Sequence, residues 1–357
     1  MYRKEKQGLS TNIGYRIYDH IVSLGWSCQI AYQLERLHLR FESFPFDWLF
    51  STNFEKVLEA IETDFQDWML RENLEESNFT ETEHKRIVDR KYDTVIQHFF
   101  PLDKPLKESF PEVNAMMRRR VERFLTLGGG GTLFVRTDLN EEQSVRAAHL
   151  IRSKYGDGAE LLIVNHTHNF EMKEIFTGYD NFYMVEIYDE NECTGQDWKG
   201  YNPHWSRLFT DVRIRREKVD LQNNIYFEGF YECENRSKRS QFRWSNGESV
   251  LHLEEYGGCK CTLFLSAPVP IHLEISNVYG EVIRSITFSK SAAYCFDIKH
   301  ETRFIRIKSN RWCPHEIFAS NDSRNLGACL DGIEVERPYP PQRKIYTNWF
   351  SNSAQSL

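Results

Sequence analysis

The sequence predicts an α/β domain over residues 1–215, an antiparallel β-sandwich of jelly-roll type over 222–340 and an irregular tail over 341–357. Three observations carry this. A chain of 357 residues exceeds the usual span of one core, so two domains are expected. Up to about residue 215, apolar runs of strand length alternate with segments of helical period. Beyond residue 222, short alternating strands follow one another between turn residues with no long helix.

Residues 18–24 form a buried strand, and 28–38 a helix with Ile30, Ala31, Leu34 and Leu37 on one face. Pro45 interrupts any helix in the turn-rich stretch 40–48. Residues 53–71 have helical spacing at Phe54, Val57, Leu58 and Ile61, and 86–99 form a strand pair. A long helix over 107–127 turns Val113, Met116, Met117, Val121 and Phe124 inward, and Gly128 to Gly131 end it. Within it, Arg118, Arg119 and Arg120 read as a solvated face. Strand 132–136, helix 140–154 and strands 161–165 and 182–188 complete the first domain. In the second, 251–254, 261–265, 272–275 and 304–307 alternate apolar and polar residues.

Composition narrows the function. The formal net charge of −7 argues against binding nucleic acid, which needs a basic face. No apolar run approaches the ~18 residues of a membrane span, and Met1 to Gln7 lead into no apolar signal segment, so a cytoplasmic protein is expected. Free thiols are then expected of the eight cysteines rather than disulfides, and the Asn78-Phe79-Thr80 sequon carries no weight. Aromatics at 14% serve as core side chains or as a carbohydrate-facing surface.

Chemistry centres on Ile21 to Leu34. An apolar strand enters a tight turn at Gly25, and Cys28 falls at the first turn of an amphipathic helix. The free N–H groups and the positive end of the helix dipole favour a thiolate there. A nucleophilic cysteine needs a base, and the sequence offers 12 histidines.

The segments Ser23-Leu24-Gly25-Trp26-Ser27-Cys28, Leu39-Arg40 and Ser43-Phe44-Pro45-Phe46-Asp47-Trp48 resemble a papain-like cysteine peptidase family long carried as a domain of unknown function. Gln97-His98-Phe99-Phe100-Pro101 is similar to its His-Asp-Phe-Pro motif. Arg123-Phe124 followed by Leu133-Phe134-Val135-Arg136 is similar to its helix-then-strand signature. The resemblance covers residues 18–190 and implies a papain-like mixed sheet-and-helix domain with Cys28 as nucleophile and His98 as base. The family's aspartate after the histidine is Phe99 here. Gly229 to Glu232, Phe242-Arg243-Trp244 and Asp322 to Gly327 resemble an accessory sandwich found beside glycan-assembly enzymes.

Further roles follow by position. Asp47 either orients His98 or caps a turn. Arg136 ends a buried strand, where it either binds a carboxylate or phosphate or makes a structural ion pair. Carried over from the resemblance, the backbone N–H of Cys28 and the Gln29 side chain would form an oxyanion hole, with Trp26 beside them on the substrate. No metal site is expected: neither His166-Thr167-His168 nor Cys259-Lys260-Cys261 has a second pair at zinc spacing. No cofactor is required, although a coenzyme A thioester fits as acyl donor. Three functions remain open: an acyltransferase modifying a glycan, a hydrolase of amides or esters including peptides, and an inactive glycan-binding scaffold.

Overall fold

The computed structural model describes residues 16–77, 83–128, 131–175, 177–179, 181–189, 198–237 and 240–338. The N-terminal segment, the sequon, Cys193, two of the four consecutive glycines and all of the tail lie outside the described residues. In the first domain the strands are β1 (Arg16–Tyr18), β2 (His20–Ser23), β3 (Leu49–Phe50), β4 (Leu74–Glu76), β5 (Ile87–Asp89), β6 (Thr94–Ile96), β7 (Thr132–Thr137), β8 (Ala159–Thr167), β9 (Lys173–Ile175), β10 (Phe182–Tyr188) and β11 (Val212–Ile214). Its helices are α1 (Gln29–Arg36), α2 (Phe54–Glu62), α3 (Leu106–Leu125), α4 (Glu141–Tyr155) and α5 (Asn202–Leu208).

A five-stranded sheet in the order β2-β7-β8-β10-β9 forms the centre, parallel except for β9. Its strands carry nearly continuous apolar runs because both faces are covered. The period-two alternation sorts them: Leu133 and Val135 join one core with Ile30 and Leu34 of α1, while Phe134 joins the other with Phe124 of α3 and Ile151 of α4. A separate antiparallel sheet, β3-β6-β5-β4, packs into the second of these cores. The domain is thus mixed α/β.

Two local expectations fail. The helix expected over 53–71 stops at Glu62, because Asp64, Phe65, Asp67 and Met69 take positive φ values of 54–61°. That run of turns drives Phe65, Trp68 and Met69 into the core, which a continuing helix would not have done. Arg120 is not solvated: its Nη1 donates to Asp47 O at 3.2 Å and its guanidinium lies 4.8 Å from the Phe99 ring centroid. Arg118 and Arg119 remain exposed.

The second domain contains β12 (Arg216–Lys218), β13 (Phe227–Phe230), β14 (Glu234–Ser237), β15 (Ser240–His252), β16 (Lys260–Ser266), β17 (Ile271–Ser276), β18 (Val282–Phe288), β19 (Ser291–Asp297), β20 (Phe304–Ser309) and β21 (Cys329–Glu336). All pair antiparallel. The 13-residue β15 belongs to both layers of the sandwich: Arg243 and Trp244 pair with β21, and Glu248 to His252 with β20. One layer continues through β16 and β19, the other through β17 and β18. Inward residues of both, among them Leu251, Leu263, Leu273, Ile305 and Leu330, make one core. The seven described cysteines are free, and five of them are buried.

The chain crosses between domains within one residue. β11 pairs with β1 of the first domain and β12 with β21 of the second. Arg215 between them donates its N–H to Tyr18 O and accepts from Arg337 N, each at 2.7 Å, and its guanidinium pairs with Asp19 and Glu336. No described helix is long and apolar enough to cross a membrane.

Candidate active site

The nucleophile turn is built from the backbone outward. β2 ends at Ser23, and Gly25 and Trp26 take φ values of 84° and 85° before α1 begins. At Gly25 a Cβ would stand 2.0 Å from Ser51 Oγ, so both the conformation and the space require glycine. Ser51 holds the turn: its Oγ accepts from Trp26 N at 3.0 Å and its N–H donates to Trp26 O at 3.0 Å. Cys28 is then the N-cap of α1, and its carbonyl takes the first intrahelical bond from Tyr32 N.

His98 reaches the same place from the antiparallel sheet, two residues beyond β6. Cys28 Sγ and His98 Nε2 lie 3.3 Å apart, a thiol–imidazole hydrogen bond. Sulfur and base therefore come from two different sheets, joined through Ser51 at the end of β3. The imidazole is half-buried and meets the Trp48 ring edge-on at 6.0 Å.

Electrostatics correct the expected thiolate. Cys28 is 4% exposed, and burial pushes its thiol up to about 12. Burial, with a smaller contribution from the His84 side chain, lowers His98 below its usual range. The pair rests as neutral thiol and neutral imidazole, so His98 must take the proton as the sulfur attacks. Alkylation of Cys28 by iodoacetamide is accordingly expected to rise with pH through a midpoint below 6.5, where His98 loses its proton, and to level off. A second rise should come only as the thiol itself ionises toward about 12. Mass spectrometry of pulse-alkylated samples measures this; a single rise toward about 12 with no acid limb would show that His98 does not act on the sulfur.

The other expected site residues are placed elsewhere. Asp47 is buried, but its Oδ2 accepts from Arg40 Nε at 3.0 Å and Phe44 N at 2.9 Å. No hydrogen bond joins it to His98 among the described residues. Its role is to close the Phe44–Trp48 turn, which Arg40, Arg120 and Arg123 grip at Ser43 and Asp47. That grip holds Trp48 against His98 with φ at 64°.

Arg136 is fully buried and donates to Leu24 O at 2.9 Å, Ser51 Oγ at 3.2 Å and Ser51 O at 2.8 Å, with its guanidinium 4.9 Å from the Phe54 ring. Burial disfavours its charge, and no face is left for a phosphate. It braces the nucleophile turn from behind. Gln29 donates its Nε2 to Asp189 Oδ2 at 2.9 Å, so its amide is committed away from the sulfur. Of the expected oxyanion donors, the backbone N–H of Cys28 remains, at the N-terminus of α1. Trp26 is half-buried, its ring 6.5 Å from His166.

Three residues not selected from the sequence, Trp198, Lys199 and Tyr32, border the site. Trp198 is 44% exposed and meets Trp48 at 6.3 Å and Tyr32 at 5.3 Å, both edge-on. Lys199 Nζ lies 5.5 Å from the Tyr32 ring centroid. Tyr32 could have been found as the residue one helical turn after Cys28; Trp198 is 170 residues away and carries no local signal.

Among curated proteins, an uncharacterized protein R408 of Acanthamoeba polyphaga mimivirus is 27% identical over 216 residues, covering 52% of this chain and 95% of that one. Among solved structures, the Podospora anserina GH26-CBM35 β-(1,4)-mannanase matches with TM-score 0.25 and 8% identity over 36% of this chain, which spans 29% of that one. The family 11 carbohydrate-binding module of Clostridium thermocellum matches with TM-score 0.21 and 10% identity, covering 35% of this chain and 98% of that one. A CBM36-1 domain of a xylanase from the hindgut metagenome of Trinervitermes trinervoides gives TM-score 0.22 and 15% identity over 35% and 99%. Residues 19–169, which carry the turn of Cys28, the histidine His98 and strands β2, β7 and β8, match the model of the family described as "Putative papain-like cysteine peptidase (DUF1796)", the family that the Cys28-to-Trp48 segment resembles and one whose description is that of a cysteine enzyme.

Proposed function

We propose that the protein transfers an acyl group through a thioester on Cys28 to a hydroxyl of a glycan. The observation that carries this reading is the 3.3 Å contact between Cys28 Sγ and His98 Nε2 at the head of α1. Cys28 attacks the carbonyl carbon of an acyl thioester while His98 accepts the thiol proton. The Cys28 N–H, at the positive end of α1, stabilises the oxyanion. Collapse expels the donor's thiolate, which takes the proton from His98, and leaves acyl-Cys28. A sugar hydroxyl then gives its proton to His98, attacks the thioester and regenerates the thiol. A coenzyme A thioester suits the donor role. The row Trp48, Trp198 and Tyr32 supports a sugar acceptor, since aromatic faces beside the nucleophile can take the apolar face of a sugar ring.

The family description favours a second reading, in which water takes the place of the hydroxyl and the acyl group comes from a peptide. Nucleophile, base and oxyanion donor are the same. Incubation with acyl-coenzyme A separates the two. A mass increase on Cys28 in the wild type, absent in Cys28→Ala, is the expected result. Absence of an adduct with any acyl thioester, together with Cys28-dependent cleavage of a peptide library, would establish the hydrolase instead. Silence in both assays would favour the glycan-binding scaffold.

A further inference from the structure

A buried polar chain runs from the edge of the parallel sheet to the residue after the nucleophile. Asp138 follows β7, His166 lies in β8 and Asp189 follows β10, so three adjacent strand ends contribute. The Asp138 carboxylate takes the His166 N–H at 3.0 Å and His166 Nδ1 at 2.7 Å. His166 Nε2 lies 3.2 Å from Asp189 Oδ2, a close contact without hydrogen-bond geometry that becomes an ion pair when the imidazole is protonated. The same Oδ2 accepts from Gln29 Nε2 at 2.9 Å. The His166 and Asp189 side chains are 2% and 3% exposed.

Burying the His166 and Asp189 side chains together, with Asp138 23% exposed beside them, is unfavourable against an apolar alternative, so the arrangement calls for a use. Its far end supplies one. Gln29 is the first residue of α1, directly after Cys28, and both of the helix's inward glutamines are bonded rather than merely packed. Gln33 Nε2 donates to Lys199 O at 2.6 Å and Asn202 Oδ1 at 2.8 Å. Gly200, with φ at 77°, lets that turn close on Gln29: a Cβ there would stand 2.6 Å from Gln29 Nε2. Apolar packing by Ile30 and Leu34 sets where α1 lies but permits it to rotate or slide. A directional hydrogen bond beside the nucleophile removes that freedom.

We infer that Asp189, packed against His166, is a positioning residue that fixes the rotation and register of α1 so that Cys28 Sγ faces His98. Asp189 touches no reacting atom; it acts through Gln29. This inference rests on the reading of Cys28 and His98 as nucleophile and base.

The test reads the sulfur directly and needs no substrate. Iodoacetamide alkylation of Cys28 at pH 7 is followed by mass spectrometry in the full chain, per folded molecule, with circular dichroism confirming the fold. Asp189→Ala and Gln29→Ala are each expected to slow it about 10- to 100-fold, the cost of a misplaced reacting atom. The double variant should lose no more than either single one, since both cut the same link. Asp189→Asn, which keeps an oxygen for Gln29 Nε2, should restore most of the rate.

Rates within about twofold of wild type in folded Asp189→Ala and Gln29→Ala, or losses that multiply in the double variant, would overturn the inference. A merely structural role would lower the melting temperature and leave the rate per folded molecule unchanged. Should Asp189→Ala fail to fold, Gln29→Ala carries the same test from the helix side. His98→Ala in parallel separates the two readings. If it leaves the rate unchanged, the nucleophile–base reading fails; if it slows alkylation while Asp189→Ala does not, only the positioning role fails.

Discussion

Replacing His98 with alanine is expected to lower both acyl-adduct formation and alkylation at Cys28 by about 10²- to 10⁴-fold at neutral pH, the usual contribution of a positioned general base. The size follows from the resting state of the pair. With the thiol pushed up to about 12 by burial, almost none of it is ionised at neutrality, so attack depends on a partner that takes the proton at 3.3 Å. The loss should shrink at high pH, where Cys28 ionises without help. Trp48→Phe is the control for damage to the wall beside His98, because it keeps an aromatic ring against the imidazole. Rate constants from quenched-flow or timed alkylation followed by peptide mass spectrometry give the ratio. A His98→Ala variant within tenfold of wild type at neutral pH would remove His98 from the chemistry.

Gly25→Ala is expected to destabilise the first domain by about 3 kcal/mol or more. The left-handed conformation alone costs a residue with a Cβ about 1–2 kcal/mol. The added methyl would also stand 2.0 Å from Ser51 Oγ and 3.4 Å from Arg136 Nη1. Ser51 must then give up its bonds to Trp26 N and Arg136 Nη1, each contributing about 1 kcal/mol. Urea unfolding followed by tryptophan fluorescence measures the change. Ser51→Ala supplies the mechanistic check: it removes the atom that is struck, so the double variant should lose clearly less than the sum of the single ones. Strict additivity, or a loss below about 1 kcal/mol for Gly25→Ala, would show that the turn relaxes around the methyl.

The strand–turn–helix around Cys28 was legible because it is local. An apolar run, a glycine and a 3.6-residue period all lie within Ile21 to Leu34, and β2 and α1 fall where that pattern puts them. The alternation of strands and helices and the later short strands were legible for the same reason. Helix α2 was overextended because Phe65, Trp68 and Met69 keep their apolar character while the backbone leaves the helix through positive φ angles. Hydrophobicity reports burial there without reporting the conformation that achieves it.

The fate of the polar residues was less legible, because charge and side-chain length do not reveal partners distant in sequence. Arg120 looks like its exposed neighbours Arg118 and Arg119 until α3 is laid against the Phe44–Trp48 turn, whose carbonyls need a donor. Arg136 ends a strand that points at the cleft, yet the carbonyls of Leu24 and Ser51 capture it first. Gln29 and Asp47 stand where an oxyanion donor and a histidine partner would be sought, and Asp189 and Arg40 claim them.

Local periodicity and turn chemistry were enough to place a cysteine at the head of a helix after a glycine turn, since those signals act within a few residues. The meeting of Cys28 with His98, the rise of the thiol's pKa and the polar chain from Asp138 to Gln29 depend on contacts between elements 23 to 160 positions apart. Such contacts are selected by packing and desolvation of the whole domain, which no local stretch of sequence encodes.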